Sequence, residues 1–208
     1  MTTPATTPPR LVLASASPAR LATLRAAGVE PEVVVSGVDE STVSAASVAA
    51  LAGRLAVLKA EAVAATLPPS GDGPVLVLGC DSMLELDGEP LGKPGTAAEA
   101  TRRWRAMRGR SGVLHTGHHV LVLGDPARTS SAVGSTTVHF ADLTDAEVDA
   151  YVGTGEPLQV AGAFTVDGLG GPFVRAVEGD HHNVVGLSLP LLREMLAGLG
   201  VAWTDLWR

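Results

Sequence analysis

The sequence predicts an α/β fold in which a mixed β-sheet is flanked by helices. Apolar runs of strand length alternate with segments of helical periodicity along most of the chain. Hairpin signals interrupt this alternation near the middle, which favours a sheet with both parallel and antiparallel strands. Of the 208 residues, 46% are hydrophobic and 18% are charged, a composition typical of a globular chain.

The first part of the chain predicts short strands and two helices. Ser17-Pro18 opens the first helix, because serine is a good N-cap and proline suits the first helical position, and Gly28 ends it. The second helix is rich in alanine, and the spacing of its leucines predicts one apolar face. Those leucines are Leu51, Leu55 and Leu58. The predicted ranges are strands at 10–14, 32–36 and 75–80, the second helix at about 45–66, and a linker at 67–74.

The second part predicts hairpins followed by further helices. Asp87-Gly88 is a strong turn signal between two short strands, and Thr144-x-x-Glu147 is a capping box that opens a helix through Tyr151. Period-two patterns predict paired strands on either side of residues 124–126. The predicted ranges are strands at 83–86, 89–91, 114–123, 130–140, 161–166 and 173–177, and helices at 96–108 and 188–198.

Composition narrows the function classes. The net charge of −7 disfavours stable nucleic-acid binding, and no apolar run approaches the roughly 20 residues that span a bilayer. Residues 1–9 lack the features of a signal peptide and are expected to form a flexible tail before a single domain at 10–208. A single cysteine, Cys80, excludes an internal disulfide, so a cytoplasmic location is expected.

The segment from Leu13 to Arg20 is a candidate anion site. A strand that opens directly into a capped helix presents free N–H groups and a helix dipole, which both favour phosphate. Ser15 and Ser17 supply hydroxyl donors, and Arg20 lies in the first helical turn. The alternative is an ordinary N-cap with a solvated arginine. The segment lacks the glycines and the lysine of a Walker A loop.

Two acidic positions are candidates for catalysis or metal binding. Asp81 follows the apolar run 75–80, and ligands in open α/β sheets bind beyond the carboxyl ends of strands. An acid there can hold a divalent cation or act as general base on water. Asp39-Glu40 follows the strand at 32–36 and could add a second carboxylate. The alternatives are a turn-capping role for Asp81 and a solvated loop for Asp39-Glu40.

The two lysines are candidate phosphate ligands, whereas the histidines give no sign of a functional site. Only two of the 15 basic residues are lysines, Lys59 and Lys93, and a compact ammonium suits phosphate. A solvated surface position is the alternative for each. The histidines form no compact metal signature and no serine-hydrolase elbow is present, so we interpret them as surface or structural residues. The histidines concerned are His115, His118, His119, His181 and His182.

Taken together, these segments resemble the Maf family over residues 13 to about 200. The order and spacing of the pieces make the resemblance specific, although each piece alone is weak. The pieces are LASASPAR (13–20), Val38-Asp39-Glu40, LAVLKAEAV (55–63), LGCDSMLELDGEPLGKP (78–94), HTG (115–117), YVGTGEP (151–157), AGAFTVDG (161–168) and GDHHNVVGLSLPLL (179–192).

The resemblance implies a two-lobed fold around a deep cleft, like that of the inosine triphosphate pyrophosphatases. It implies hydrolysis of a nucleoside triphosphate to the monophosphate and pyrophosphate, a divalent cation such as Mg²⁺ or Mn²⁺, and a homodimer. By the same resemblance, Asp81 is the catalytic base or metal-linked acid and Glu40 is the second acid at the metal. A phosphate-binding wall would comprise Ser15, Ser17, Arg20, Lys59 and Lys93.

Three positions depart from the family pattern and bear on substrate preference. Ala19 stands where the family commonly has a first arginine, and Ser82 stands where threonine is frequent. Asp167 stands near the glutamine of relatives that prefer dTTP and UTP, and a carboxylate cannot offer an amide's donor–acceptor pair. The preferred base therefore stays open, and the 7-methyl-GTP preference of another subgroup has no support either.

Two further function classes remain open from the sequence. One is a nucleotide-binding regulator of septum formation that does not turn nucleotide over, for which the arginine-rich stretch 102–110 is the candidate partner surface. A solvated helix face is the alternative interpretation of that stretch. The other class is a phosphoryl- or nucleotidyl-transfer enzyme with an acceptor other than water, for which the sequence shows no acceptor pocket.

Overall fold

A computed structural model describes residues 7–68, 73–124 and 126–208. Within them the strands are Arg10–Ala14 (β1), Glu32–Val33 (β2), Val75–Leu86 (β3), Glu89–Leu91 (β4), Ser111–Leu123 (β5), Arg128–Phe140 (β6) and Val174–Glu178 (β7). The helices are Pro18–Ala26 (α1), Val48–Ala64 (α2), Ala97–Met107 (α3), Asp145–Gly153 (α4), His181–Val185 (α5) and Leu189–Gly198 (α6). The predicted tail, linker and middle turn lie partly outside the described residues.

All seven strands form one mixed sheet, which confirms the predicted fold class. The strand order is β2-β1-β3-β5-β6-β7, and β4 pairs with β3 outside this path. Strand β1 is parallel to β2 and β3, whereas the remaining pairs are antiparallel. No helix within the described residues combines the length and hydropathy needed to cross a membrane.

Strand β3 changes its partner along one edge. Strand β5 pairs with it from Val75 to Glu85 on one side. On the other side β1 pairs with residues 75–79 and β4 pairs with residues 84–86. Residues 80–83 therefore pair with no strand of the described residues on that edge, and we call this stretch the β3 gap. Asp81 lies within it.

Helix α2 packs very closely on β3 and β5 because both strands place a glycine beneath it. A Cβ added to Gly79 would lie 2.1 Å from the carbonyl oxygen of Ala56, and one added to Gly117 would lie 2.2 Å from that of Ala52. Alanines of α2 lie at these close approaches, although its buried face also includes Leu55. The prediction that leucines define this face is wrong for Leu51 and Leu58, which are only partly buried.

The apolar core forms clusters on both sides of the β3 gap. One cluster surrounds the first half of β3 and includes leucines of α1 and α6. Another surrounds Trp104, which makes edge-to-face contacts with Phe140 and Tyr151. The buried indole N–H of Trp104 donates a 2.8 Å hydrogen bond to the carbonyl of Ala163, which fixes the loop after α4.

Several local predictions need correction. The strand predicted at 161–166 is wrong, because Ala161–Ala163 forms a 3₁₀ turn in which Gly162 and Ala163 have φ of 72° and 61°. The two segments predicted at 75–80 and 83–86 form one continuous strand. The predicted strand 32–36 is reduced to two residues, and the predicted loop at 181–182 begins a short helix. The capping box of Thr144 and Glu147 is confirmed.

Candidate active site

A cleft of about 840 Å³ opens at the β3 gap. The end of β1, the start of α1, one side chain of α2 and the loop 159–167 line its walls. Asp39 does not line this cleft, and its carboxylate instead accepts hydrogen bonds from Ser41. The side chains that the family resemblance assigns to the site, and those at its three departures, all line the cleft. These are Ser15, Ser17, Ala19, Arg20, Glu40, Lys59, Asp81, Ser82, Lys93 and Asp167.

A buried ion pair forms part of the cleft wall. The Lys59 ammonium lies 2.5 Å from Asp81 Oδ1 and 2.6 Å from Glu40 Oε1, so one cation bridges two carboxylates. Lys59 and Asp81 are only 8% and 6% exposed, whereas half of the Glu40 side chain is exposed. Asp81 points toward α2 because it lies on the same face of β3 as Gly79, two residues before it.

Asp81 combines burial with an unused carboxylate oxygen. Its Oδ2 is buried and accepts no hydrogen bond from the described residues. Burial raises the pKa of Asp81 above its ordinary value, although the charges of Lys59 and then Arg20 act to lower it. A carboxylate with a raised pKa and a free oxygen is suited to accept a proton.

Arg20 connects three segments at the β3 gap. Its Nε donates to the Gly186 carbonyl at 2.7 Å, and its Nη1 donates to Ser15 Oγ and the Cys80 carbonyl, both at 3.0 Å. Its Nη2 donates to Ser82 Oγ at 2.9 Å. Four of the five guanidinium N–H groups are thus used within the protein, which leaves one for the predicted phosphate contact. The Cys80 carbonyl lies in the gap, so Arg20 satisfies backbone that no strand pairs.

A hydroxyl chain continues from Arg20 into the core. Thr116 Oγ1 donates to the carbonyl of Asn183 at 2.9 Å, so in its 2.9 Å contact with Ser82 it must accept. Asn183 is fully buried, and its amide donates to the Leu114 carbonyl and to Thr136 Oγ1. Sequence reasoning missed Thr116 and Asn183 as supports of the site, although both lie in segments that carry the family resemblance.

The anion-binding features of α1 face the same cleft. Ser17 caps the helix by accepting a hydrogen bond from the Arg20 amide, and Ser15 Oγ accepts one from the Ser17 amide at 3.2 Å. The positive end of the α1 dipole therefore points into the cleft. Lys93, which follows β4, is exposed and also lines the cleft.

The loop 159–167 forms a further part of the cleft wall, and one carboxylate holds this loop in place. Glu156 accepts hydrogen bonds from the Tyr151 hydroxyl at 2.9 Å and from Thr165 Oγ1 at 2.6 Å. It also accepts from the amides of Leu169 and Gly170. Asp167 lies on this loop, exposed toward the cleft. Gln159 also lines the cleft, and sequence reasoning missed it because no local pattern distinguishes it.

The arginine-rich stretch 102–110 and the central histidines have intramolecular partners. Glu99 pairs with the first two arginines, Asp145 with the next two and Asp87 with Arg110. Three histidines are buried within the sheet and hydrogen-bonded there, as expected of structural residues. They are His115, His118 and His119.

Fold and site together define an α/β protein with a cleft that holds two acids, a buried lysine and a capped helix start. The particular family follows from comparison with known proteins. The family described as Maf-like protein matches residues 10–199, and the chain belongs to it. A protein of Salinispora tropica named nucleoside triphosphate pyrophosphatase is 60% identical over 96% of this chain and 88% of its own length.

Two further similarities complete the comparison. A Streptomyces coelicolor protein of the same name is 58% identical over 95% of this chain and 94% of its own length. The solved structure of the Staphylococcus aureus Ham1 protein aligns with a TM-score of 0.48 at 18% identity, covering 91% of this chain and 99% of that one. The latter similarity is distant, and the fold described above stands on its own strand order.

Proposed function

We propose that this chain is a nucleoside triphosphate pyrophosphatase. The reaction adds water to the α-phosphorus and breaks the bond between that phosphorus and the oxygen bridging to the β-phosphate. The products are a nucleoside monophosphate and pyrophosphate. The names of the relatives with 58–60% identity support this activity. The single structural observation that carries the proposal is the cluster of Lys59, Asp81 and Glu40 in the cleft.

Asp81 is assigned as the general base. Its Oδ2 accepts no hydrogen bond from a described residue, and burial raises its pKa, so it can take the proton of the attacking water. The start of α1 and Lys93 are assigned to the triphosphate oxygens, because both present positive charge to the cleft. Arg20 is assigned mainly to holding this arrangement, with one N–H left for phosphate.

A divalent cation, Mg²⁺ or Mn²⁺, belongs to the proposal. Asp81 Oδ1 and Glu40 Oε1 already share one positive charge, and carboxylate oxygens suit hard cations that also bind substrate phosphates. Glu40 and Asp81 are therefore the residues that would hold the ion. When bound, it would neutralise charge on the phosphate oxygens around the reacting phosphorus.

The proposal also includes a homodimer in the cytoplasm. The family resemblance supports the dimer, and the single buried cysteine is compatible with a reducing compartment. Light scattering after size exclusion would test the dimer directly: a mass of one chain across the working concentration range would remove it from the proposal.

The activity is tested with a panel of triphosphates that includes modified bases, in the presence of Mg²⁺ or Mn²⁺. We expect phosphate to be detected only after an inorganic pyrophosphatase is added, because the primary product is pyrophosphate. D81N should lose at least about a hundredfold in rate, since a general base typically contributes that much. D87N is the matched control, because Asp87 lies in an exposed hairpin turn. Direct release of orthophosphate, or no product from any triphosphate, would contradict the proposal.

A further inference from the structure

The bridging position of Lys59 has a consequence for how the cation reaches the site. We propose that Lys59 occupies the cation site in the nucleotide-free protein, so that free metal binds weakly and the ion enters together with a triphosphate. This inference rests on the proposed function, since it concerns the same site. It predicts that metal and triphosphate each promote the binding of the other.

The distances show that the ammonium and a metal ion would compete for the same oxygens. Lys59 Nζ lies 2.5 Å from Asp81 Oδ1 and 2.6 Å from Glu40 Oε1. Its aliphatic stem is buried on the close-packed face of α2, which holds the charged end in the cleft wall. A divalent ion that binds both oxygens must displace the ammonium from them.

Charge balance opposes a free ion and favours an ion that arrives with phosphate. Glu40 and Asp81 carry two negative charges when ionised, and Lys59 and the adjacent Arg20 carry two positive charges. A bare divalent ion would therefore enter a site that is already neutral, close to a buried ammonium. A triphosphate brings negative charge to that ammonium, so Lys59 can leave the carboxylates for phosphate oxygens as the ion takes its place.

Lys93 provides a contrast within the same cleft. It also lines the cleft, but it is exposed, and no carboxylate of the described residues forms an ion pair with it. Removing its charge should weaken phosphate binding without exposing a metal site. The two lysines of the chain are therefore expected to differ in their effect on the binding of metal alone.

The test measures Mn²⁺ binding to the nucleotide-free protein by electron paramagnetic resonance of the free ion. K59M should bind Mn²⁺ at least about tenfold more tightly than the wild type, because the competing charge is gone. K59R retains the charge and K93M removes the other lysine, and neither should show this gain. The double variant K59M/D81N should lose the gain, which places the ion at Asp81.

A second titration adds inorganic tripolyphosphate, which has no base and no nucleoside. Tripolyphosphate should raise the Mn²⁺ affinity of both proteins, and the fold-increase should be at least about tenfold larger for the wild type than for K59M. Thermal unfolding with Mn²⁺ alone checks that K59M is folded and should show a larger rise in Tm for K59M than for the wild type.

Tight binding of Mn²⁺ alone to the wild type, or no gain in folded K59M, would overturn the inference. Either result would leave pyrophosphate release by the wild type untouched. Conversely, the Mn²⁺ titrations could give the expected results while the protein releases no pyrophosphate from any triphosphate. That outcome would contradict the proposed function and leave the inference about Lys59 standing.

Discussion

Protonation of the buried His118 is expected to set part of the acid sensitivity of the fold. His118 is fully buried on β5, and its Nε2 accepts a 2.9 Å hydrogen bond from the backbone N–H of Ser188, the N-cap of α6. Its Nδ1 must then carry the proton and donate to the Thr116 carbonyl at 3.0 Å. The neutral ring thus has both nitrogens satisfied, and a second proton would point at the N–H of Ser188.

The pKa of His118 gives the size of this effect. Burial lowers that pKa from its ordinary 6.5 to about 4, and the nearby charge of Arg20 acts in the same direction. The unfolded chain therefore binds a proton that the folded chain does not bind between these values, and stability falls as the pH falls through this window. The full difference is worth about 3 kcal/mol, of which about 2 kcal/mol is lost between about pH 7.5 and about pH 5.

The measurement is urea unfolding of the wild type and H118Q at both pH values. H118Q is expected to lose about 2 kcal/mol less than the wild type on acidification, whatever its stability at neutral pH. H181Q is the control, because His181 is exposed on α5 and its replacement should leave the wild-type difference unchanged. An H118Q variant with the same loss on acidification as the wild type would refute the reasoning.

Three contacts around the cleft give further expected outcomes. G117A should lower stability by about 3 kcal/mol in thermal unfolding, because the added Cβ would meet the backbone of Ala52 under α2. R20K should lower kcat/KM for the triphosphate at least about tenfold, because an ammonium cannot span the four acceptors of the guanidinium. E156Q should raise KM about tenfold with kcat largely retained, because Glu156 positions the loop of Asp167 and touches no proposed reacting group.

Each of these substitutions has a matched control in the described chain. G153A places its Cβ in open space on α4, so its Tm should not fall. R25K changes an arginine in an exposed ion pair, and E89Q changes an exposed glutamate on β4. Both should retain wild-type kcat/KM. A stable G117A, an active R20K or an E156Q whose loss lies only in kcat would contradict the corresponding argument.

Local signals predicted most elements because they depend on near neighbours. The capping box at Thr144, the Ser17-Pro18 helix start and the Asp87-Gly88 turn all lie where the sequence indicates. The strand prediction for residues 161–166 was wrong because contacts with groups distant in sequence determine the backbone conformation there. Gly162 donates its N–H to the Gly92 carbonyl, and the Ala163 carbonyl accepts from Trp104. Its apolar pattern resembles that of a strand, yet these tertiary contacts hold the left-handed φ values.

The buried face of α2 likewise could not be predicted from the local sequence alone. Its leucines carry the stronger hydrophobic signal, but Gly79 and Gly117 allow the helix backbone to approach the sheet, and alanines lie at these close approaches. Which glycines lie beneath the helix depends on strand pairing between β3 and β5, which are far apart in sequence. No periodicity within the helix contains that information.

The site residues could be selected from the sequence, but not all of their contacts. Lys59 stood out as one of only two lysines and Arg20 as a cation at a capped helix start, and the structure places both in the cleft. It also shows Lys59 on two carboxylates and Arg20 with four donors used inside the protein. Those partners come from segments up to 166 residues away, so spacing along the chain cannot reveal them.

The β3 gap explains why fold and site depend on the same arginine. Along one edge, β3 pairs first with β1 and then with β4, so the backbone groups of the β3 gap have no strand partner there. Buried backbone groups need hydrogen-bond partners from elsewhere in the protein. Arg20 satisfies the Cys80 carbonyl in the gap and ties Ser15 and Gly186 to it. The break in pairing opens the space for a ligand, and the residue that repairs it also shapes the anion end of the cleft. A substitution at position 20 should consequently lower stability and substrate binding together, whereas D81N should remove turnover with the fold retained.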